Sequence, residues 1–243
     1  MHLPKSWNNV SVEQFMELKG LQVNSFDSIF DFHVEAISIL SDTDINDVYD
    51  LDFDELTELI KEINFINRDP NKPVNRIISD LHYIGLQHLK VGEFIDLEHY
   101  FTNNYYAHLS DICSVVYRKK RFDEWDNEVI EPYEYDIEQR KQLFKDVKCT
   151  DVFGIVQEYI KFRENFMEVY INLFQEPATD EIEDDLTDEE KEEIKKEDNL
   201  NKWSWEKTLY ILANEDITKI DDVLKMNLIF AFNMLSMKTE LQL

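Results

Sequence analysis

Three groups of residues have the types that could do chemistry. Asp42, Asp44, Asp47, Asp50, Asp52 and Asp54 alternate like the oxygen donors of a calcium loop, which needs a glycine at position six and a glutamate at position twelve. Counted from Asp42 those positions are Asp47 and Phe53, and counted from Asp50 they are Glu55 and Lys61. The spacing fails, so the acids read as caps of successive helices, each favourable by about 0.3–1 kcal/mol near a helix N-terminus. The histidines His2, His33, His82, His88, His99 and His108 contain no His-Glu-x-x-His and no i, i+4 pair. No imidazole pair therefore shares a helical face, and no metal site is expected. Cys113 lies among Ile112, Val115 and Val116 and reads as a small buried hydrophobe, while Cys149, beside Lys148, is expected nearer the surface. Neither has a recognisable histidine and acid partner, and no Gly-x-Ser-x-Gly elbow occurs. No catalytic residue and no cofactor are expected, and the chain is not read as an enzyme.

A fourth group points to contact rather than catalysis. Arg118, Lys119, Lys120 and Arg121 follow one another directly after Tyr117. Two readings stand: a helix C-terminus, whose carbonyls and dipole favour cations, or a contact for an acidic surface of the same or a neighbouring copy. The second reading makes self-association sensitive to salt.

The chain that must position these residues has 243 residues, with 52 acids against 25 bases and a formal charge of −27. Displacing counterions from a phosphate backbone takes Lys and Arg, so sequence-specific nucleic-acid binding is not expected. A surface along which DNA passes without sticking remains compatible with the charge. Four glycines and five prolines give little support to folds built on glycine-rich phosphate loops or tight turns. Two cysteines suit a reducing compartment. No leader-like apolar core opens the chain and no run reaches the roughly 18 apolar residues of a membrane span, so a soluble protein is expected. Sixteen Phe, eleven Tyr and four Trp are too apolar for a disordered acidic chain.

Periodicity predicts a mainly α, multi-helix globular fold. Ser11 and Gln14 form a capping-box pattern that opens a helix ending near Gly20. Phe26, Ile29, Phe30, Ile37 and Leu40, then Ile45, Val48 and Tyr49, then Phe53, Leu56, Leu59, Ile60 and Ile63 mark three more helices. Asp69-Pro70-Asn71-Lys72-Pro73 reads as a unit boundary. Leu86, Leu89, Val91, Phe94 and Ile95 surround Gly85 and Gly92 in runs too short and irregular for a helix, which predicts a small two-stranded β element near residues 86–97 with its strands joined near Gly92. Helical spacing returns over 96–117 and 135–144, and one strong helix is expected over 151–174.

Residues 176–198 hold thirteen acids and three lysines, a net of −10, and read as a solvated arm or linker with a Thr187–Glu190 capping box. The expected organisation is an N-terminal helical unit (1–70), a central mainly helical unit (71–175), the acidic arm (176–199) and a C-terminal helical pair (200–243). The last helix is apolar on nearly every side, so it is central to the core or covered by a neighbouring subunit. Trp203, Trp205, Leu228, Ile229, Phe230 and Phe232, with the Arg118–Arg121 cluster, are the candidate partner interface.

Several short motifs read together in order. Leu3-Pro4, Trp7-Asn8-Asn9-Val10-Ser11 and Gln14-Phe15 open the chain; Val91-Gly92-Glu93-Phe94-Ile95-Asp96-Leu97 and Val115-Val116-Tyr117-Arg118 follow; Trp205 and Leu212-Ala213 precede the apolar last helix. This order resembles small helical proteins of tailed-bacteriophage structural modules, of the crAss-like and related phages, over most of the chain. The resemblance implies a non-enzymatic virion protein, a repeated subunit of the neck or tail that contacts its own copies and other phage structural proteins. It carries no catalytic residues. It also admits an assembly chaperone that holds a tail component and is absent from the mature particle.

Overall fold

Local signals start many of the helices. In the computed structural model, which describes residues 1–21, 26, 28–174 and 204–241, the Ser11 hydroxyl accepts the Gln14 N–H at 3.1 Å. The Gln14 side chain in turn accepts the Ser11 N–H at 3.2 Å, completing the capping box of α1 (Val12–Gly20). Ser28, Asp44 and Asp52 each accept a first-turn N–H to open α2 (Ile29–Ser41), α3 (Ile45–Tyr49) and α4 (Phe53–Glu62). Asp42 ends α2 in the left-handed region, at φ 51°. Asp50 ends α3, so four of the six aspartates that imitate a calcium loop, Asp42, Asp44, Asp50 and Asp52, are helix boundaries. The predicted stripes hold only in part: Leu40, Val48, Leu56 and Ile63 are buried, whereas Ile29 and Phe53 are exposed.

The fold is mainly helical with one four-stranded antiparallel sheet, ordered β1 (Ile77–Ile78), β2 (Leu81–Tyr83), β3 (Tyr117–Phe122) and β4 (Glu128–Ile130). The β element expected at 86–97 is a correction. That stretch is a 3₁₀ turn, Leu86–His88, followed by α5 (Val91–Thr102). The Glu93 carboxylate accepts the Lys90 N–H at 2.9 Å and opens α5, and Val91, Phe94 and Leu97 recur on one buried face. The helices that follow are α6 (Leu109–Val116), α7 (Ile137–Lys145), α8 (Cys149–Val152), α9 (Gly154–Val169) and α10 (Ile171–Phe174), then α11 (Ser204–Leu212), α12 (Ile220–Leu224) and α13 (Leu228–Leu241). The single helix expected over 151–174 is thus three. The acidic arm and its capping box lie outside the described residues.

Two compact units form, and their boundaries differ from those read at Pro70 and Pro73. One comprises Met1–Gly85 with Leu97–Ile160, the other Leu86–Asp96 with Lys161–Leu243, so the division falls inside α5 and α9. Backbone hydrogen bonds tie residues 1–70 to the distant part of the first unit. Val12 N–H donates to Val147 O at 2.8 Å and Cys149 N–H to Val10 O at 2.9 Å, and just beyond this stretch Asn75 N–H donates to Asp151 O at 2.8 Å. Trp7, Phe15 and Phe153 pack edge to face beneath these bonds, with ring centroids 5.3 and 5.2 Å apart. At Gly154 the first turn of α9 meets the 72–74 backbone so closely that an added Cβ would lie 2.5 Å from Lys72 O.

In the first unit α6 runs into β3 with no intervening turn, leaving carbonyls at its C-terminus that need donors. Two buried guanidiniums supply them. Arg118 donates to Val115 O at 3.0 Å, and Arg140 donates to Ser114 O at 3.0 Å, to Tyr133 O at 2.6 Å and to Tyr135 O. Arg140 thereby fastens the end of α6, the segment after β4 and the start of α7. Burial, and then the charge of Arg118, hold its pKa below the ordinary guanidinium value. Replacing Arg140 by Ala leaves three carbonyls without this donor and is expected to cost about 3 kcal/mol. Arg140→Lys should recover little, because an ammonium cannot span the same fork. Urea unfolding of the two variants checks both.

Candidate protein interface

The candidate residues fall at two places, one in each unit. In the first unit the Arg118–Arg121 cluster is not a helix end but β3, where alternation sends neighbours to opposite faces. Arg118 is buried; Lys119 pairs with Asp80 at 3.0 Å and Lys120 with Glu128 at 2.9 Å; Arg121 is exposed. The helix-end reading survives in one atom group only, the Arg118 guanidinium on Val115 O. Four adjacent cations therefore do not make one basic patch.

The geometry instead draws attention to the hairpin tip. β2 pairs with β3 only over Tyr117–Lys119, so Lys120, Arg121 and Phe122 pair with β4 alone, opposite Ile130, Val129 and Glu128. Between the strands, the Asp123 carboxylate accepts the Trp125 and Asn127 N–H groups, both at 2.9 Å, and the Asn127 carboxamide at 3.2–3.3 Å. Asp123 N–H donates to Asn127 O at 2.9 Å, and Asp126 takes a left-handed φ of 63°. This turn holds Trp125 at 78% exposure and Phe122 at 68%. Asp123, Glu124 and Asp126 flank Trp125 in sequence with no base among residues 123–127, and Glu128 beyond them is paired with Lys120. Neither aromatic was a sequence candidate. The signal that could have found Trp125 is Asp123 two residues before it, the side chain most apt to lock a turn.

In the second unit the C-terminal candidates separate into core and surface. Phe232 packs on Phe166 and Tyr170 at 4.8 and 5.5 Å, and Trp205 on Phe94 at 5.4 Å. Leu228 is buried, Ile229 is half-buried with its carbonyl accepting the Tyr170 hydroxyl at 3.3 Å, and Phe230 is exposed. Trp203 lies outside the described residues. Met234, Met237 and Leu241 join Phe230 on the exposed side.

Other arrangements offer little chemistry. Burial pushes the Cys149 thiol up to about 12, contrary to its expected surface position, and raises Cys113 as well, so neither is a thiolate at neutral pH. A shallow hollow of about 610 Å³ is lined by Glu13, Gln14, Glu17, Asp42 and Asp44 among others. Burial and the charges of Glu13 and Asp42 raise the Glu17 pKa, opposed by Lys145. Among the described residues no group of His, Cys, Asp and Glu could hold a metal ion, and no helix is long and apolar enough to cross a membrane.

No protein-family model, curated protein or solved structure matches the chain.

Hydrogen bonds from the Asn127 N–H, with further help from the Asn127 side chain and the Trp125 N–H, hold the Asp123 carboxyl below the usual carboxylate range. A depressed acid stabilises the folded turn above its unfolded pKa, about 3.9, and that contribution disappears as pH falls through the lower folded value. Asp123→Ala is therefore expected to lower the amide-exchange protection of Trp125 and Asn127 by about tenfold at neutral pH. In the wild type the same loosening should occur only in strong acid.

Proposed function

We propose that the protein is a non-enzymatic structural subunit of a bacteriophage neck or tail, acting through contacts with other phage structural proteins. The hairpin tip carries this reading. Its turn fixes the backbone on both sides of a tryptophan that packs little of its own surface, an arrangement with a cost in exposed apolar area that a binding partner would offset. The carboxylates around Trp125 favour a partner with an apolar pocket rimmed by Lys or Arg. The placement in a neck or tail rests on the resemblance of the ordered motifs. In such an assembly the chain's excess acid would disfavour adhesion of DNA passing nearby.

The assembly-chaperone reading is favoured by a different observation. Met234 and Met237 stand exposed on α13, and methionine adapts to irregular partner surfaces. A chaperone copurifies with a tail-tube or tape-measure protein but is missing from finished particles; a subunit is present in them at fixed stoichiometry.

Mass spectrometry of purified virions separates the two. Trp125→Ala should leave the unfolding midpoint within error and lower incorporation into particles by roughly 30-fold, the loss typical of an aromatic hot spot worth about 2 kcal/mol. Incorporation equal to wild type would remove the tip from the contact.

A further inference from the structure

α13 has two apolar faces. Leu228, Ala231, Phe232 and Leu235 are buried. Phe230, Met234, Met237 and Leu241 recur at steps of four, three and four residues on the other side, with 55, 41, 42 and 60% of their surfaces exposed. Steps of three and four place these side chains in one row, the seam into which a second helix fits its own side chains.

Charge bears on what can cover the seam. The chain carries −27, so two copies repel over most of their surfaces. α13 holds one base, Lys238, and one acid, Glu240, and so has no net charge over fourteen residues. Every other described helix of ten residues or more, α2, α4, α5 and α9, is net acidic. Two copies can therefore meet along α13 without setting a surplus of carboxylates against another, whereas a basic partner would be drawn to the acidic surfaces instead.

The area is consistent with such a pair. The four side chains leave on the order of 400 Å² exposed per copy, within the roughly 300–600 Å² of the largest apolar patch on a typical monomer, which is often a functional one. Pairing two copies would cover about 800 Å² through these side chains, and the rim of Asn233, Lys238 and Glu240 must supply the rest of the roughly 1,000 Å² that a specific interface clears.

We propose that α13 is a self-association seam on which a second copy of this chain docks, α13 against α13, through Phe230, Met234, Met237 and Leu241. This rests on the reading of the protein as a contact-forming subunit and names one of its partners. It differs from the ionic self-association expected from the Arg118–Arg121 cluster in the sign of its salt dependence. A hydrophobic seam between like-charged copies tightens as salt screens their repulsion, and an acid–base contact weakens.

Sedimentation of the purified full chain tests it. The wild type should pair at concentrations between about 1 and 100 μM, and more tightly at 500 than at 50 mM salt, across which the Debye length shortens severalfold. Met234→Glu/Met237→Glu and Met234→Lys/Met237→Lys should each be monomeric with an unchanged circular-dichroism spectrum, and a one-to-one mixture should pair again. That recovery excludes misfolding as the cause of the monomers. A wild type that is monomeric throughout this range, association that weakens with salt, or variants that pair as tightly as the wild type would each overturn the seam. A monomeric wild type that still enters virions would remove the seam alone, and a dimer absent from virions would remove the virion reading alone.

Discussion

Each contact this chain makes, within itself or with another molecule, is made against its surplus of negative charge. With 25 bases for 52 acids, most carboxylates must be placed where a charge of that sign is tolerated without a cation. Helix starts are such places, and Asp44 and Asp52 take first-turn N–H groups there. The bases are then available for joints between distant segments. Lys19 meets Asp69 at 2.6 Å, Lys145 meets Glu13 at 3.1 Å, and Arg76 meets Glu158 at 2.9 Å beside the Tyr83 hydroxyl. Solvent screens these pairs, so each adds little stability alone. Arg118 and Arg140 do more, because their guanidiniums supply the donors that a helix running directly into a strand would otherwise lack.

The same constraint shapes the two surfaces proposed for assembly. At the hairpin tip Asp123, Glu124 and Asp126 flank a tryptophan in sequence, and the proposed partner is of opposite charge. Along α13 the charge is balanced, and like copies can approach. One chain can in this way distinguish self from non-self contacts by local charge alone, without a change of conformation. Both surfaces are built on elements whose other side is anchored: the hairpin grows from a strand paired with β2, and α13 packs Phe232 among Phe166, Tyr170 and Trp205.

Much of the helical content was legible because its causes are local. Ser11 and Gln14 lie three residues apart, and their reciprocal bonds need nothing else from the chain. The sheet was not legible for the opposite reason. β1 and β2 have two and three residues, and β2 finds β3 more than thirty residues onward, so no local alternation is long enough to register. Gly92 suggested a turn between strands, but Glu93 supplies a cap and the bridge between Lys90 and Asn227 sets the direction of α5. The four consecutive cations suggested a helix end because sequence cannot show Asp80 arriving from the β1–β2 turn and Glu128 from β4. On α13 the apolar character was visible, yet its division into a buried and an exposed row depends on the aromatic cluster beneath it. Trp125 was invisible as a surface residue because an aromatic in an apolar-rich chain reads as core.

A distance between copies measures the proposed α13–α13 contact most directly. Cys113 and Cys149 are buried, so a spin label on Glu240→Cys reports from α13 alone. Electron–electron dipolar spectroscopy of the labelled full chain should give an inter-copy separation below about 30 Å, as two helices packed 8–10 Å apart require. A sample at the same concentration and in high salt that shows no dipolar coupling between copies would contradict it.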